Sequence, residues 1–327
     1  MQRRHLLLAA FGPLAACTRR RERTSARVLA MPYIFMSPLF LAHEQNYFAD
    51  EGLDVEVLTN TASMTAIPLL AGEEADAAFY SINPSFLNAV ARGARVRIVA
   101  GRQYNAPECA SERRLIGSRT AFPHGFTDFR QLKGKRIAMT RLASPTAFNM
   151  DACLAKGGLT RDDIKIVVME DNLAAAALKA DTVDVLVSTS EEIHLSHLRN
   201  HIVLGPSVVD AIPGYVYSYI VFGRRFLDGD VEVGGRFLRA YLRGARDFVA
   251  GKNPQFLLDF IRSNGLDPDT PERLCRQTTA LDGRVPLEDI QRFADWAVLR
   301  ELCPRPVKAE DLVDMRFIEW LREGKIS

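Results

Sequence analysis

The stretch from Ser37 to Ala100 constrains the fold most, because its hydrophobic periodicity alternates between helix and strand patterns in a fixed order. Ser37 and Pro38 are typical of a helix start, where serine can act as the cap and a proline at the first position loses no hydrogen bond. Residues 54–58 alternate between polar and apolar side chains, which indicates a half-buried strand. Two helix–strand pairs follow over residues 64–100. A βαβαβ order predicts an open, largely parallel sheet in an α/β protein.

Three segments of this stretch resemble, in order and spacing, those of the solute-binding proteins of ABC importers for nitrate, sulfonates, taurine and thiamine precursors. They are residues 46–48 (Asn-Tyr-Phe), 51–57 (Glu-Gly-Leu-Asp-Val-Glu-Val) and 69–78 (Leu-Leu-Ala-Gly-Glu-Glu-Ala-Asp-Ala-Ala). The resemblance extends over residues 28–320 and includes Leu-Lys-Gly-Lys-Arg-Ile at 132–137, which resembles the segment that opens the second lobe in this family. It implies a two-lobed periplasmic-binding-protein fold of type II, with the ligand cleft between the lobes and a helical C-terminal region.

The domain organisation expected from this resemblance has two lobes joined by two crossings of the chain. Residues 28–118 and 215–327 are predicted to form the first lobe, and residues 119–214 the second. A length of 327 residues is enough for two domains with a core each. Two crossings imply a hinge, and a hinge beside a cleft is an architecture used for ligand-driven closure.

The N-terminal residues have the pattern of an export signal. Residues 1–17 combine a basic start, an apolar run over 6–11 that is too short to span about 30 Å of hydrocarbon, and small residues before Cys17. Leu-Ala-Ala-Cys at 14–17 resembles the lipobox of bacterial lipoproteins, which implies that Cys17 is acylated and anchors the protein to a membrane outside the cytoplasm. An ordinary cleaved signal and a twin-arginine signal are the alternatives, and the pattern leaves the anchoring membrane open. Residues 18–27 are predicted to form a tether.

Export to an oxidising compartment bears on the remaining cysteines, Cys109, Cys153, Cys275 and Cys303, which lack the short paired spacing of a zinc site. Free cysteine is among the most buried residue types, so we expect buried free thiols. A disulfide between Cys275 and Cys303 is the alternative, because both lie in the C-terminal helical region.

Composition and motifs argue against several functions. The chain has 42 Lys and Arg residues against 40 Asp and Glu, so as a whole it has no electrostatic preference for nucleic acid. It contains no Walker loop, Gly-x-Ser-x-Gly elbow, His-Glu-x-x-His or Gly-x-Gly-x-x-Gly. His194, His197 and His201 cluster near Glu191 and Glu192, but an exposed polar helix explains them better than a metal site does. We therefore expect no catalysis, no cofactor and no metal.

A repeated spacing predicts a binding site that both lobes share. Residues 70–76 and 178–184 each combine a helix end, a turn and a final aspartate before an apolar strand. Five residues on from each aspartate come Ser81 and Thr189, just past the carboxyl end of a strand, where open α/β sheets bind ligands. Either hydroxyl could instead be a helix cap.

The candidate ligand-binding residues lie in loops at strand ends. Helix starts after Ser37 and Ser63 would turn backbone N–H groups and positive helix ends towards an anion. Arg102 and Arg141 could clamp an anion, although arginines near strand ends are more often surface residues. Aromatic side chains, among them Tyr33, Tyr80 and Tyr217, are numerous enough to wall a flat ring. The full set is Phe35, Met36, Ser37, Asn60, Thr61, Ser63, Ser81, Asn83 and Tyr104 in the first lobe, Ser144, Thr146 and Thr189 in the second, and Tyr215 at the return crossing.

The sequence therefore predicts a monomeric, extracytoplasmic solute-binding protein of an ABC importer. It would capture a small solute and deliver it to a permease in the cytoplasmic membrane. The resemblance leaves the solute open between a sulfonate-, nitrate- or taurine-like anion and a pyrimidine precursor of thiamine. One alternative is an enzyme similar to the thiamine-pyrimidine synthases, which resemble this family but use a cysteine-rich motif that this chain lacks. The other is a ligand sensor, which would need an attached transmembrane or signalling segment.

Overall fold

Two β-sheets form the framework of the computed structural model, which describes residues 23–59, 65–111, 113–187 and 200–324. The strands of the first sheet are β1 (Thr24–Ala30), β2 (Leu53–Thr59), β3 (Ala77–Ser81), β4 (Arg97–Tyr104) and, much later in the chain, β10 (Val216–Phe222). Those of the second sheet are β5 (Arg114–Ser118), β6 (Arg136–Met139), β7 (Lys165–Val168), β8 (Val185–Val187) and β9 (Ile202–Ser207).

The two sheets have the same plan, with orders β2-β1-β3-β10-β4 and β7-β6-β8-β5-β9. Three neighbouring strands are parallel in each, namely β2-β1-β3 and β7-β6-β8. The fourth strand, β10 or β5, follows a crossing between the sheets and runs antiparallel to both of its neighbours. This matched arrangement confirms the two-lobed α/β fold expected from the sequence.

Helices cover both sheets, and the C-terminal third is helical, as the resemblance implied. No helix in the described part of the chain is long and apolar enough to cross a membrane. The helices are α1 (Ser37–Glu44), α2 (Tyr47–Asp50), α3 (Ala66–Ala71), α4 (Pro84–Ala91), α5 (Pro145–Lys156), α6 (Asp171–Lys179), α7 (Val208–Ala211), α8 (Arg224–Leu227), α9 (Val231–Val249), α10 (Gln255–Ser263), α11 (Thr270–Arg273), α12 (Leu287–Leu299) and α13 (Arg316–Arg322).

The long helix α9 packs against α1, which carries the loop after β1. Gly244 permits this close approach, because a Cβ there would lie 2.5 Å from the Pro38 carbonyl oxygen and 2.6 Å from the Ala42 Cβ. Any larger residue would push α1, and with it the loop after β1, away from α9.

The two crossings between the sheets, from β4 to β5 and from β9 to β10, are bonded to each other. Asn105 is fully buried, and its backbone N–H donates to the Tyr215 carbonyl at 2.9 Å. Its side-chain amide donates to the Ile212 carbonyl at 2.9 Å, and its own carbonyl accepts from the Gly214 N–H at 2.8 Å. The two crossings, which we call the hinge, are therefore a pair of linked segments rather than two independent ones.

Helix α12 connects the lobes on one side of the hinge. Asp151 on α5 of the second lobe accepts from the Trp296 indole N–H at 2.7 Å and from the Arg300 Nε at 2.9 Å. At the other end of α12, Asp289 accepts from the Val216 N–H at 2.8 Å, where β10 begins. The helix thus contacts the second lobe and the hinge strand together.

Several boundaries differ from the sequence prediction. Residues 24–27 do not belong to a tether, because they pair with β2 as the start of β1. β5 was not predicted as a strand, and its pairing with β8 and β9 puts the first change of sheet before residue 118, the lobe boundary that we expected. The pattern of residues 309–322 predicts one helix, but the structure has a 3₁₀ turn, Ala309–Leu312, and then α13, because Val313 leaves the helical conformation and bridges to Ile98 in β4. The pattern of residues 271–279 likewise predicts one helix, but the structure has only the short α11 and a 3₁₀ turn, Arg276–Thr278.

A disulfide joins Cys109, in the crossing after β4, to Cys275, beyond α11. Pairing of Cys275 with Cys303 is therefore wrong, and so is the expectation of free thiols at Cys109 and Cys275. Cys153 and Cys303 are buried free cysteines, which confirms that expectation for these two.

Candidate ligand-binding site

The carboxyl ends of the strands carry most of the residues that the sequence singled out. The loops after β1, β3 and β6 hold Phe35–Ser37, Ser81–Asn83 and Ser144–Thr146. Tyr104 is the last residue of β4, and Tyr215 immediately precedes β10. The structure thus brings these residues to the carboxyl edge of their sheets, the edge at which open α/β sheets bind ligands. Asn60, Thr61, Ser63, Thr189, Glu191, Glu192, His194 and His197 lie outside the described residues, as does Cys17.

The loop between β1 and α1 presents an aromatic side chain rather than a hydroxyl. Phe35 is half-buried and its ring lies 5.3 Å from that of Tyr33, which is 41% exposed. Met36 and Ser37 are buried, and the Ser37 hydroxyl donates to the Ile34 carbonyl at 2.6 Å. Ser37 is not the N-cap that we predicted, because a 3₁₀ turn runs directly into α1 and puts Met36 at the cap position.

The loop after β3 is held by a cap. The Asn83 side-chain oxygen accepts from the Phe86 N–H at 3.1 Å, and its amide donates to the Tyr80 hydroxyl. Burial raises the pKa of Tyr80, so its hydroxyl stays neutral. Ser81 is half-buried and faces Ser218 across the ladder to β10.

The loop after β6 opens α5. The Ser144 hydroxyl accepts from the Ala147 N–H at 3.2 Å and donates to the Arg141 carbonyl at 2.9 Å, and Pro145 occupies the first turn. Thr146 is half-buried in the first turn of α5. Because α5 begins after the carboxyl end of β6, its positive end lies at that edge of the sheet. The Arg141 residue is exposed, as the surface alternative predicted.

Arg102 is buried rather than exposed to the cleft. Its Nη1 donates to the Phe35 carbonyl at 2.7 Å, and its Nη2 donates to the Ser218 hydroxyl at 2.6 Å. Ser218 in turn donates to the Tyr80 carbonyl at 3.3 Å. Arg102 thus ties the loop after β1 to β10 and β3, instead of forming the direct clamp that we considered.

Two further arginines stack on tyrosines beside the hinge. The guanidinium of Arg113, which is 6% exposed, lies 3.9 Å from the centre of the Tyr217 ring. That of Arg284 lies 4.3 Å from the centre of the Tyr104 ring. Among the described residues, no carboxylate forms an ion pair with Arg102, Arg113 or Arg284. This part of the molecule therefore combines aromatic surface with positive charge that no acid neutralises by direct contact.

Sequence reasoning missed Arg113 and Arg284, because each arginine meets its tyrosine only through the tertiary fold. Tyr215 differs from expectation as well. It is 2% exposed and its ring lies 5.2 Å from that of Phe148 in an aromatic cluster with Trp296, so it belongs to the core between the lobes.

The described residues hold no reactive thiol in the cleft. Cys153 and Cys303 are buried, and burial raises the pKa of the Cys153 thiol to about 12. No group of three or more His, Cys, Asp or Glu side chains that could hold a metal ion occurs within the described ranges.

Comparison with known proteins gives both a family and structural neighbours. The profile of the family described as NMT1/THI5 like matches residues 35–255. No curated protein sequence matches the chain. The alkanesulfonate-binding protein SsuA of Xanthomonas axonopodis pv. citri, bound to MOPS, is 18% identical with a TM-score of 0.68, and the alignment covers 90% of this chain and 99% of SsuA.

Two other structural neighbours are a binding protein and an enzyme. The periplasmic nitrate-binding protein NrtA of Synechocystis PCC 6803 is 14% identical with a TM-score of 0.67, over 93% of this chain and 89% of NrtA. The desulfurization enzyme DszB, in a mutant complex with biphenyl-2-sulfinic acid, is 13% identical with a TM-score of 0.62, over 92% of this chain and 99% of DszB. At these identities the similarity shows the fold. Because the family profile matches more than half of its 327 residues, the chain belongs to the NMT1/THI5-like family, as the sequence resemblance indicated.

Proposed function

We propose that this protein captures a small organic sulfonate between its lobes and delivers it to an ABC permease. The observation that carries the proposal is the pair of arginine–tyrosine stacks beside the hinge, Arg113 on Tyr217 and Arg284 on Tyr104, without an acid partner among the described residues. Positive charge next to aromatic surface suits a solute with an anionic head and an apolar portion. The names of two neighbours, alkanesulfonate-binding and nitrate-binding, agree with an anion.

Exposed apolar side chains on both lobes support an apolar portion in the solute. Tyr33 follows β1 and Leu142 follows β6, which are equivalent strands of the two sheets. They are 41% and 42% exposed, so each offers apolar surface beside the carboxyl edge of its sheet. Nitrate would leave both exposed, whereas an alkyl or aryl sulfonate would cover them on lobe closure.

A thermal-shift screen tests this proposal. The panel contains alkanesulfonates of increasing chain length, taurine, nitrate and the pyrimidine precursor of thiamine, in phosphate buffer because MOPS is itself a sulfonate. A ligand at 100 times its dissociation constant adds about 2.7 kcal/mol to the free energy of unfolding. We expect sulfonates with an apolar chain to raise Tm more than taurine or nitrate does. If only the pyrimidine stabilises the protein, the solute is a thiamine precursor and not a sulfonate. If no compound stabilises it, the proposal is overturned.

We propose further that the protein binds its solute without converting it. The buried state of Cys153 and Cys303 supports this, since neither thiol can reach a ligand in the cleft. The test incubates excess of the best-stabilising sulfonate, and separately biphenyl-2-sulfinate, with the purified protein and follows each by mass spectrometry. We expect both to remain intact, and multiple-turnover release of sulfite would instead assign an enzyme.

We propose finally that the protein lies outside the cytoplasm, is anchored to a membrane by a lipid and is a monomer. The disulfide between Cys109 and Cys275 supports an oxidising compartment, where such bonds form and persist. Replacing Cys17 by serine should release the protein from the membrane fraction, because the acylated residue is lost. Unchanged membrane association of the Cys17→Ser protein would put the anchor elsewhere.

A further inference from the structure

Arg102 is a cation enclosed by the first lobe directly behind the loop that carries Phe35. The residue is 2% exposed and its guanidinium lies between two rings, 5.5 Å from the centre of Phe35 and 5.7 Å from that of Phe79. Its Nη1 and Nη2 have acceptors, but its Nε is buried without a partner. Its acceptors are the Phe35 carbonyl and the Ser218 hydroxyl, and both are neutral.

Such an arrangement is unfavourable for folding alone. Enclosing a guanidinium removes its hydration, and two neutral acceptors replace that hydration only in part. The guanidinium nevertheless keeps its proton, because arginine does not deprotonate in proteins. A positive charge that is neither paired nor hydrated acts over a longer distance than a surface charge does, since salt and water screen it less.

We propose that Arg102 is a positioning residue that sets the charge preference of the solute site without touching the solute. It holds the Phe35 carbonyl against the sheet and places its charge behind the loop after β1. The first lobe therefore prefers an anion to a neutral molecule of the same shape. This inference rests on the proposed function and deepens it, because it adds a buried charge behind the site to the two arginines, Arg113 and Arg284, that stack beside the hinge.

The test compares two probes of matched shape, an alkanesulfonate and the neutral methyl sulfone of the same chain length, by titration calorimetry. The ratio of their affinities is the readout, since a general loss of structure weakens both probes alike. In Arg102→Met the ratio should fall about tenfold, the expected effect of one charge acting across a partly shielded distance. Arg102→Lys keeps a charge, so the ratio should stay within about threefold of wild type while both affinities fall, because lysine lacks the fork that binds Phe35 and Ser218.

Arg97 is the matched control. It lies at the opposite end of β4, and its guanidinium binds the Ala94 and Val96 carbonyls. Arg97→Met removes the same charge from the same strand, and the affinity ratio should not change. An equal fall in Arg97→Met would assign the preference to the total charge of the lobe and overturn the inference.

Wild-type protein provides a second arm in case Arg102→Met does not fold. Between about 0.05 M and about 0.5 M salt the affinity ratio should change less than about twofold, because a buried charge is weakly screened. A ratio that collapses towards one would assign the preference to exposed charges and contradict the role of Arg102. If wild type binds neither probe nor any other sulfonate, the proposed function fails and this inference fails with it. If wild type prefers the sulfonate and Arg102→Met keeps the ratio, this inference alone fails.

Discussion

Asp76 and Asp184 occupy the same place in their lobes, one residue before the third parallel strand. The backbone N–H of Arg27 donates to Asp76 at 2.7 Å, and that of Arg136 donates to Asp184 at 2.7 Å. Each aspartate N–H donates back to the carbonyl of the same arginine, at 2.8 Å in both lobes. The matched spacing noticed in the sequence thus has a structural cause, since each aspartate fixes the register of two neighbouring strands.

Replacing Asp184 by asparagine should destabilise the protein in a pH-dependent way. Burial acts to raise the pKa of Asp184, but hydrogen bonds from the Arg136 side chain and backbone outweigh it and hold the pKa below its usual value. A carboxylate with a lowered folded pKa stabilises the fold above the unfolded pKa, and this contribution is lost as the pH falls through the folded value. At neutral pH the free energy of unfolding should fall by about 1 kcal/mol, because Arg136 is partly exposed and solvent screens the pair.

Urea unfolding at several pH values measures this effect. The difference between wild type and Asp184→Asn should begin to shrink near the unfolded aspartate pKa of about 4 and should be lost as the pH falls through the lower pKa of the folded protein, where the wild-type carboxyl becomes neutral. Asp162, exposed in a 3₁₀ turn, is the control, and Asp162→Asn should match wild type throughout. A difference that persists unchanged to about pH 3 would mean that the charge of Asp184 is not what stabilises the pair.

At the scale of helices and strands, local sequence patterns predict most of the elements. Elements that are stabilised mainly by pairing with distant parts of the chain are not predicted. The periodicity of residues 231–249 and 287–299 predicts α9 and α12 with these bounds, and Pro84 is the predicted start of α4. α5 begins at Pro145, earlier than the sequence predicts, because the pattern puts the helix after residues 141–146. β5 escaped prediction because it is short and its only support comes from β8 and β9, far along the chain. The site followed the same rule. The sequence located the loops at the strand ends, but it did not indicate the arginine–tyrosine stacks, which form only through the tertiary fold.

Substitutions of Ser144 can separate two effects. One is the contribution of its capping hydrogen bond to stability, and the other is the contribution of the positive end of α5 to ligand binding. Its hydroxyl accepts from the Ala147 N–H, so Ser144→Ala should lower the free energy of unfolding by about 1 kcal/mol. Ser144→Asp keeps the cap and should unfold like wild type. The aspartate also adds a negative charge at the ligand-binding edge, so we expect Ser144→Asp to weaken sulfonate binding at least as much as Ser144→Ala does.

Urea unfolding and titration calorimetry on the three proteins check this pair of effects. If Ser144→Asp binds the sulfonate as wild type does while keeping its stability, the positive end of α5 does not face the solute. If Ser144→Ala is as stable as wild type, the hydroxyl does not act as the cap.

At the scale of the whole molecule, the covalent and non-covalent connections across the hinge differ in what they join. Asp151 connects α5 of the second lobe to α12 through Trp296 and Arg300. The disulfide instead ties the crossing after β4 to the segment beyond α11, which bridges back to Gln103 in β4 through Thr279. The Cys275 end is therefore fastened on the side of the first sheet, and Cys109 lies in the crossing itself. Nothing in the sequence indicated this pairing, because its partners are 166 residues apart and meet only in the folded chain.

Loss of the disulfide should therefore lower stability without changing solute affinity. Cross-linking residues 166 apart restricts the unfolded chain, and the double variant Cys109→Ala/Cys275→Ala should lose about 2–5 kcal/mol of unfolding free energy. Dithiothreitol should destabilise wild type by a similar amount and leave the double variant unchanged, which is the matched control because Cys153 and Cys303 are free in both proteins. The dissociation constant of the sulfonate should stay within about threefold, since the bond does not span the two lobes and leaves the second free to close. A large loss of affinity in a fully folded double variant would show that the crossing after β4 is part of the moving hinge rather than fixed to the first lobe.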